Sequence, residues 1–423
     1  MKRIYSIYQM ALRSFTADGT LESARELLPY LSENGFDIVY LCPVFEADAD
    51  LDISTWSPRQ KASGTYNPAN PYKMRDYFKV DPEYGTNEDL MRFVDTAHAL
   101  GLRVMLDLVY LHCGKNAVFA KEHPEYLICD ESGKPIVGEE WPFARLNFED
   151  NGLREYLYSN MEYYVRDYKV DGFRCDVGDK VPLDFWREGI RRIKEINPDI
   201  IMLNEGVKLS HNEVFDLCYM GYELSKIVKS DTPAKALSDL RNDDYFGHRI
   251  CFIENHDIAS NNILSRYEKT AGHELSDLTF VLLYTLGGVP FVFNGNEIAD
   301  SAEQCMFSNR LHGKRAGIDW SNLNREHGRR RLALIRKLNA LRRRSDALLF
   351  GTLDIANTTE DNTLLFTRSY ENERITVAVN PSNSDRRIVF DSSDYDVYLS
   401  HNAVISDGSI SLSGYGYAVF VSK

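Results

Sequence analysis

The 423-residue sequence has no run of about 18 apolar residues, so nothing in it reads as a membrane-spanning helix. It also lacks any paired cysteine spacing. The seven cysteines are odd in number and scattered, which disfavours a zinc site or a disulfide framework and predicts small buried thiols in a reduced, cytoplasmic setting. Positive charge is scarce: 49 Lys and Arg stand against 63 Asp and Glu, a net of -14, and a surplus of acid repels phosphate backbones and anionic lipid. Nucleic-acid and membrane partners are therefore not expected. The N-terminal stretch, interrupted by Arg13 and Asp18, lacks the continuous apolar core and small-residue cleavage site of a secretory signal. No Gly-rich fingerprint follows the first predicted strand, which argues against an open dinucleotide-binding sheet. A mean hydropathy of -0.37 excludes a disordered or fibrous chain and leaves room for a sizeable core.

What is present is alternation. Short β-rich apolar runs at 4–8, 36–41, 103–110, 170–176, 199–205, 214–219 (the weakest), 249–255 and 288–295 are separated by helical patterns. Between the first two, Leu21, Leu27, Leu28 and Leu31 share a helical face and Gly35 sits at a C-cap position. Eight strands with intervening helices predict an α/β fold, a closed (β/α)8 TIM barrel. Two connections are long, from about Pro43 to Asn87 and from about Leu111 to Asp150. Both follow strands, so both lie over the C-terminal face, where barrel sites are built. The first carries Trp56, Tyr66, Tyr72, Tyr77 and Phe78, rings suited to stacking on a ligand. Past the helical stretch 326–344 the texture changes to short alternating segments, predicting an antiparallel β domain. The domain plan is a barrel over 1–110 and 151–345, a small excursion over 111–150, and the β domain over 346–423. Leu332, Ile335, Leu338 and Leu341 recur at steps of three, so the arginines of 326–344 read as the solvated face of a packed helix.

Polar residues gather at the predicted strand ends: Asp107 and His112, Arg174 and Asp176, Glu205, then His256 and Asp257. Such a set is costly to assemble without a ligand. Arg174 and Asp176 are two apart in a strand and share a face, so the guanidinium should keep Asp176 ionised, as a nucleophile requires. Glu205 follows the apolar run Ile200–Leu203. Desolvation and neighbouring acids should raise its pKa toward general-acid duty, and two carboxylates pushed apart in pKa are what glycosidic cleavage needs. Asp257, as a third acid, and the two histidines would grip hydroxyls. Buried ion pairs at the sheet edge are the competing structural explanation.

The segments DLVYLH (107–112), DGFRCD (171–176), Glu205 after its strand and ENHD (254–257) resemble, in order and spacing, the four signature regions of the α-amylase family of glycoside hydrolases. PYKMRDYFKVDPEYGT (71–86) and RLN (145–147) extend the resemblance over nearly the whole chain. It implies that Asp176 is the nucleophile, Glu205 the general acid/base and Asp257 the transition-state stabiliser. It further implies that Arg174 supports Asp176, that His112 and His256 bind sugar hydroxyls, that Tyr72 stacks beneath the sugar and that Asp107 secures the site. The family plan also implies a C-terminal β-sandwich and an oligosaccharide substrate, with no organic or redox cofactor required. Calcium-binding members carry an Asn where this chain has Leu111, so their structural calcium site is expected to be missing. The acidic stretch EADAD (46–50) offers another cation position, but a solvated acidic loop is the favoured reading. After Asp176 stand Val177, Gly178, Asp179 and Lys180 rather than the Lys-His pair of endo-acting amylases, so the next subsite is built differently.

The expected activity is retaining hydrolysis of α-glucosidic bonds, α-1,4 foremost, in short malto-oligosaccharides. If an acceptor beats water, the same residues give a transglycosylase, phosphorylase or isomerase. Two rivals of another class are a barrel enzyme whose Asp107, Glu205 and Asp257 hold magnesium, and a non-catalytic sugar-binding relative. Oligomeric state is not legible in the sequence.

Overall fold

The computed structural model describes residues 3–138, 141–219, 223–241, 248–259, 266–313, 316–356, 358 and 362–423. Eight parallel strands close into a barrel: β1 Ile7–Met10, β2 Ile38–Leu41, β3 Arg103–Leu108, β4 Gly172–Cys175, β5 Ile201–Asn204, β6 Leu217–Tyr219, β7 Arg249–Cys251 and β8 Val289–Phe293. Each pairs with its neighbours in chain order, and β8 pairs with β1. Seven lie inside the predicted runs. β1 starts and ends later than predicted, and carries Gln9 buried within it.

Side-chain alternation divides each strand between two cores. Ile7, Ile38, Tyr40, Met105, Ile201, Leu203, Leu217 and Phe291 cluster inside the barrel. The residues between them, such as Tyr8, Val39, Leu106, Phe173 and Met202, join the larger cluster beneath the helices. Asp107 stands in register with Arg174, and Arg174 with Leu203. These three positions therefore continue the inward parity as one rung above Met105, Gly172 and Ile201. Asp176 and Glu205 follow a rung higher, their backbones still in the ladder through Asp176 N–H to Leu108 O (2.9 Å) and Glu205 N–H to Cys175 O (3.1 Å).

The predicted helix near 21–35 is two short ones, Leu21–Arg25 and Leu28–Glu33, with Pro29 in the first turn of the second. Leu21, Leu28 and Leu31 are buried, and Gly35 takes the left-handed conformation (φ +79°) that ends the pair. The first long connection holds an antiparallel strand pair, Phe45–Ala49 with Ala69–Val80, and a helix Pro58–Ala62. Residues 46–49 of the acidic stretch are thus strand rather than solvated loop, and Asp50 just after them is buried. Glu46 pairs with Arg75 and with Lys79 (3.4 Å), Asp48 accepts from the Asn116 amide side chain (2.8 Å), and Asp50 is held by Lys115 (2.8 Å) and Lys73 (3.4 Å). In the second connection His112–Cys113 pairs with Ala144–Arg145.

Beyond the barrel, β9 Thr352–Ala356, β10 Leu364–Tyr370, β11 Glu373–Val379, β12 Arg386–Val389, β13 Tyr395–Ser406 and β14 Ser409–Ser422 form one antiparallel sheet. Instead of two separate sheets, the 14-residue β14 pairs with β12 through its first half and β11 through its second, while β13 runs along its other edge. One face, with Phe366, Ile375, Val377 and Val419, packs into the barrel-side cluster. On the other, Leu365, Ala378, Ala418 and Phe420 meet Ile388, Ile410 and Leu412, so the sheet covers itself.

The helix Glu326–Arg344 departs from the solvated-arginine expectation. Leu332 is only half-buried, whereas Arg331 and Arg342 are fully buried among Leu334, Ile335, Leu338 and Leu341. Arg331 pairs with Asp277 and with Glu268 (3.0 Å). Arg342 donates to the carbonyls of Tyr5 (2.9 Å), Tyr284 (3.0 Å) and Gly288 (2.9 Å), and burial pulls its pKa down to about 10. Among the described residues no helix is long and apolar enough to cross a membrane.

Removing Arg342 strands those carbonyls. Arg342→Leu is expected to lower unfolding free energy by at least about 3 kcal/mol, against a near-neutral Lys337→Ala on the exposed face of the same helix. Urea unfolding followed by circular dichroism measures both.

Candidate active site

The strand ends converge on a cleft of about 280 Å³ over the barrel mouth, lined by Tyr72, His112, Asp176, Glu205, His256 and Asp257 together with Arg59, Trp141, Phe143 and Phe307. Asp107 and Arg174 do not line it; they are buried behind it. Arg174 is the hub. Its Nη1 donates to Asp107 Oδ1 (2.9 Å) and Asp176 Oδ1 (2.8 Å), its Nη2 pairs with Glu205 Oε1 (2.7 Å), and its Nε donates to the Tyr219 hydroxyl (3.3 Å). Asp107 in turn accepts from the hydroxyls of Tyr40 (2.5 Å) and Tyr72 (3.1 Å). These partners orient a guanidinium that is fully buried.

One cation is thus divided among three acids, and the titration follows. Burial pushes Asp176 well above the usual carboxylate range, and Glu205, Asp107 and Asp257 reinforce the push against Arg174. The expectation that Arg174 lowers the Asp176 pKa does not hold, because burial and the neighbouring acids outweigh a cation whose charge is shared. Burial also raises Glu205, with Asp257 and Asp107 adding to it, against Arg174 and the Val177 N–H that donates to Glu205 Oε2 (2.8 Å). Asp257 goes the other way: burial works to raise it, but His256 and Arg59 prevail and hold it at about 2. Asp176 and Glu205, bridged by one guanidinium, titrate as a pair rather than singly.

The histidines are fixed by their partners. Gln9 Nε2 donates to His256 Nδ1 (2.6 Å), which leaves the proton on Nε2 facing the Tyr72 hydroxyl (2.6 Å). Tyr72 then donates to Asp107, and its ring stacks on His256 at 5.5 Å. His112 Nε2–H donates to the Tyr72 carbonyl (3.0 Å). Burial, helped by Lys180, pulls His112 down to about 4, and burial lowers His256 as well.

Of the five rings anticipated in the first connection, only Tyr72 lines the cleft. Trp56 and Tyr77 are buried, Phe78 packs against Tyr156 and Tyr163, and Tyr66 is 74% exposed. Trp141 and Phe143 come instead from the second connection, and Phe307 from beyond β8. Sequence reading also missed Gln9 and Arg59. Gln9 carries a signal, a polar residue at inward parity two after Ile7. Arg59 carries none: it pairs with Asp257 Oδ1 (2.7 Å) from a helix capped by Ser57 and anchored by Gln60 to the Asn67 carbonyl (2.8 Å).

Beside the cleft, and sharing His112, Trp141 and Phe143 with it, lies a lobe of about 540 Å³ lined by Leu111, Ile128, Asn147, Lys180 and Pro182. Lys180 sits over the Trp141 ring at 4.9 Å. The magnesium arrangement is not the one observed. Both Asp107 oxygens are taken by Arg174 and tyrosines, and among the described residues no three His, Cys, Asp or Glu side chains are grouped to hold a metal ion.

Known proteins match this architecture. A family model described as alpha amylase, catalytic domain, matches residues 9–134. A maltogenic alpha-amylase of Bacillus acidopullulyticus is 28% identical over 402 residues, covering 86% of this chain and 63% of that protein. A cyclomaltodextrinase of Geobacillus thermopakistaniensis is 25% identical over 411 residues, covering 88% of this chain and 63% of its own. The crystal structure of an alpha-amylase from Lactobacillus plantarum shares the fold, with a TM-score of 0.80 at 22% identity over 99% of both chains. The chain is thus similar to the α-amylase family of barrel glycoside hydrolases, by that family model over its first third and by these relatives over most of its length. It spans about 63% of the length of these two curated relatives.

A titration of the histidines checks the electrostatics. In ¹H–¹⁵N spectra His112 is expected to remain the neutral Nε2–H tautomer from pH 8 down to about 5, titrating only near 4. A midpoint at the ordinary value of about 6.5 would contradict the burial described.

Proposed function

We propose that this chain is a retaining glycoside hydrolase that cleaves α-glucosidic bonds, α-1,4 foremost, in short malto-oligosaccharides. The observation that carries this reading is the pair Asp176 and Glu205, facing one cleft and bridged by Arg174 at 2.8 and 2.7 Å. A shared guanidinium favours the short carboxyl separation of a retaining pair, about 5 to 5.5 Å, over the roughly 6.5 to 9.5 Å of an inverting one. Burial raises both groups, and the pair holding a single proton is the charge state the chemistry uses. With that proton on Glu205, Asp176 attacks the anomeric carbon as the proton passes to the leaving oxygen. The glycosidic bond breaks and an ester to Asp176 forms. Glu205 then takes a proton from water, the hydroxide oxygen attacks the same carbon, and the ester bond breaks to restore both groups.

Asp257, held ionised beside Arg59, faces the positive charge that develops at the sugar ring, and His112 and His256, neutral, bind its hydroxyls. Arg174 and Asp107 act from behind as supports. The relatives named maltogenic alpha-amylase and cyclomaltodextrinase support maltodextrin substrates, linear or cyclic. The adjoining lobe of about 540 Å³ supports a second reading, transfer of the glycosyl group to an acceptor sugar by the same residues. No step calls for a metal or an organic cofactor. The thiols of Cys42, Cys113, Cys129 and Cys175, none in a disulfide, support a cytoplasmic setting.

The deciding experiment is a product profile on maltose through maltoheptaose, isomaltose, panose, trehalose and cyclomaltodextrins, with proton NMR of the first anomer released. Short maltose-series products of α configuration are expected, with Asp176→Ala inactive and Glu205→Gln slower by about 10² to 10⁴. A folded protein without turnover on any of them would sink the proposal. Longer products accumulating at high substrate would favour transfer.

A further inference from the structure

We propose that Asp179 is a positioning residue for Glu205, holding the turn after β5 so that the Glu205 carboxyl stays on the Val177 N–H. The inference rests on Glu205 as the acid/base. Glu205 lies between two points that one side chain grips. Asp179 Oδ1 accepts from Asn204 Nδ2 (2.7 Å), immediately before Glu205, and Oδ2 accepts from the backbone N–H groups of Val207 and Lys208 (2.9 Å each), just after it. Lys208 Nζ closes the same contact by donating to the Asp179 carbonyl (3.1 Å).

The two turns fit face to face because each has a glycine at the closest approach. A Cβ on Gly206 would stand 2.2 Å from the Asp179 carboxyl, and one on Gly178 would stand 2.3 Å from Asn204 Oδ1. The backbone just before Gly178 is held in an unfavourable form. Val177, β-branched, has φ 43° and ψ 40°, the left-handed region that such side chains avoid. That conformation aims its N–H at Glu205 Oε2 (2.8 Å), and it persists because the surrounding contacts over-determine it. Glu205 itself is 22% exposed toward the cleft and is steadied by its partners rather than by packing. Asp179 does not line the cleft, and its carboxyl bonds to the residues that flank Glu205.

A displaced acid matters only where the leaving group needs a proton. α-Maltosyl fluoride departs as fluoride without one, whereas maltotriose leaves a poor alkoxide. In kcat/KM, which reports the first bond cleavage, Asp179→Ala is expected to lose about 10- to 100-fold on maltotriose and stay within about threefold on the fluoride. Asp179→Asn is expected to recover most of the loss, since the Asn204 amide can turn over to meet it. Gly206→Ala, which forces the same two turns apart, should reproduce the leaving-group dependence and serves if Asp179→Ala does not fold. Equal losses on both substrates, or no loss on maltotriose, would overturn the proposal. Glu205→Gln, run in parallel, separates the two readings. If it spares maltotriose, the assignment of Glu205 fails; if it loses maltotriose while Asp179→Ala does not, only the role of Asp179 fails.

Discussion

Everything at the barrel mouth depends on one buried cation. Arg174 has lost its hydration shell, and an isolated guanidinium in that position would be prohibitively costly. Its compensation is a ring of partners: Asp107 behind it, Asp176 and Glu205 in front, the hydroxyl of Tyr219 on Nε, and the faces of Tyr72 and Tyr219 within 6 Å. Burial raises the two cleft-facing acids, and the shared cation does not bring them back down. A single positive charge divided among three carboxylates offsets only part of the cost of burying them, and Asp176 and Glu205 both stand above their ordinary values.

Much of the fold is legible because barrels are written in two periods. Apolar runs bounded by turn residues marked all eight strands, including the weak sixth, and period-two parity then places Asp107, Arg174, Asp176 and Glu205 on the interior side. The convergence of these residues followed from their positions at strand ends. What parity cannot convey is the sharing of charge. Arg174 and Asp176 look like a private pair in sequence, and only the register of β3, β4 and β5 brings Asp107 and Glu205 to the same guanidinium.

The remaining differences have local causes. Arg59 and Trp141 belong to connections with no period, and their direction is decided by caps and anchors such as Ser57 and Gln60. Arg331 and Arg342 mislead because burial of arginine depends on partners from other elements, Asp277 and Glu268 in one case and the carbonyls of Tyr5, Tyr284, Leu348 and Gly288 in the other. The acids of 46–50 misled for the same reason, since Arg75, Lys73 and Lys115 come from residues well downstream. Long-range charge pairing is the part of this structure that a linear reading does not carry.

The rung formed by Asp107, Arg174 and Leu203 has an evolutionary corollary. Losing one residue inside β3, β4 or β5 would rotate every later side chain of that strand to the helix side, so the chemistry admits no change of length there. The connections above carry no such constraint, and the lobe around Trp141 and Lys180 is built from them. Arg174, Asp176 and Glu205 thus sit on stretches of fixed length, while most of the cleft rim does not. The rim can be rewritten while the reading frame of the strands stays closed to insertion.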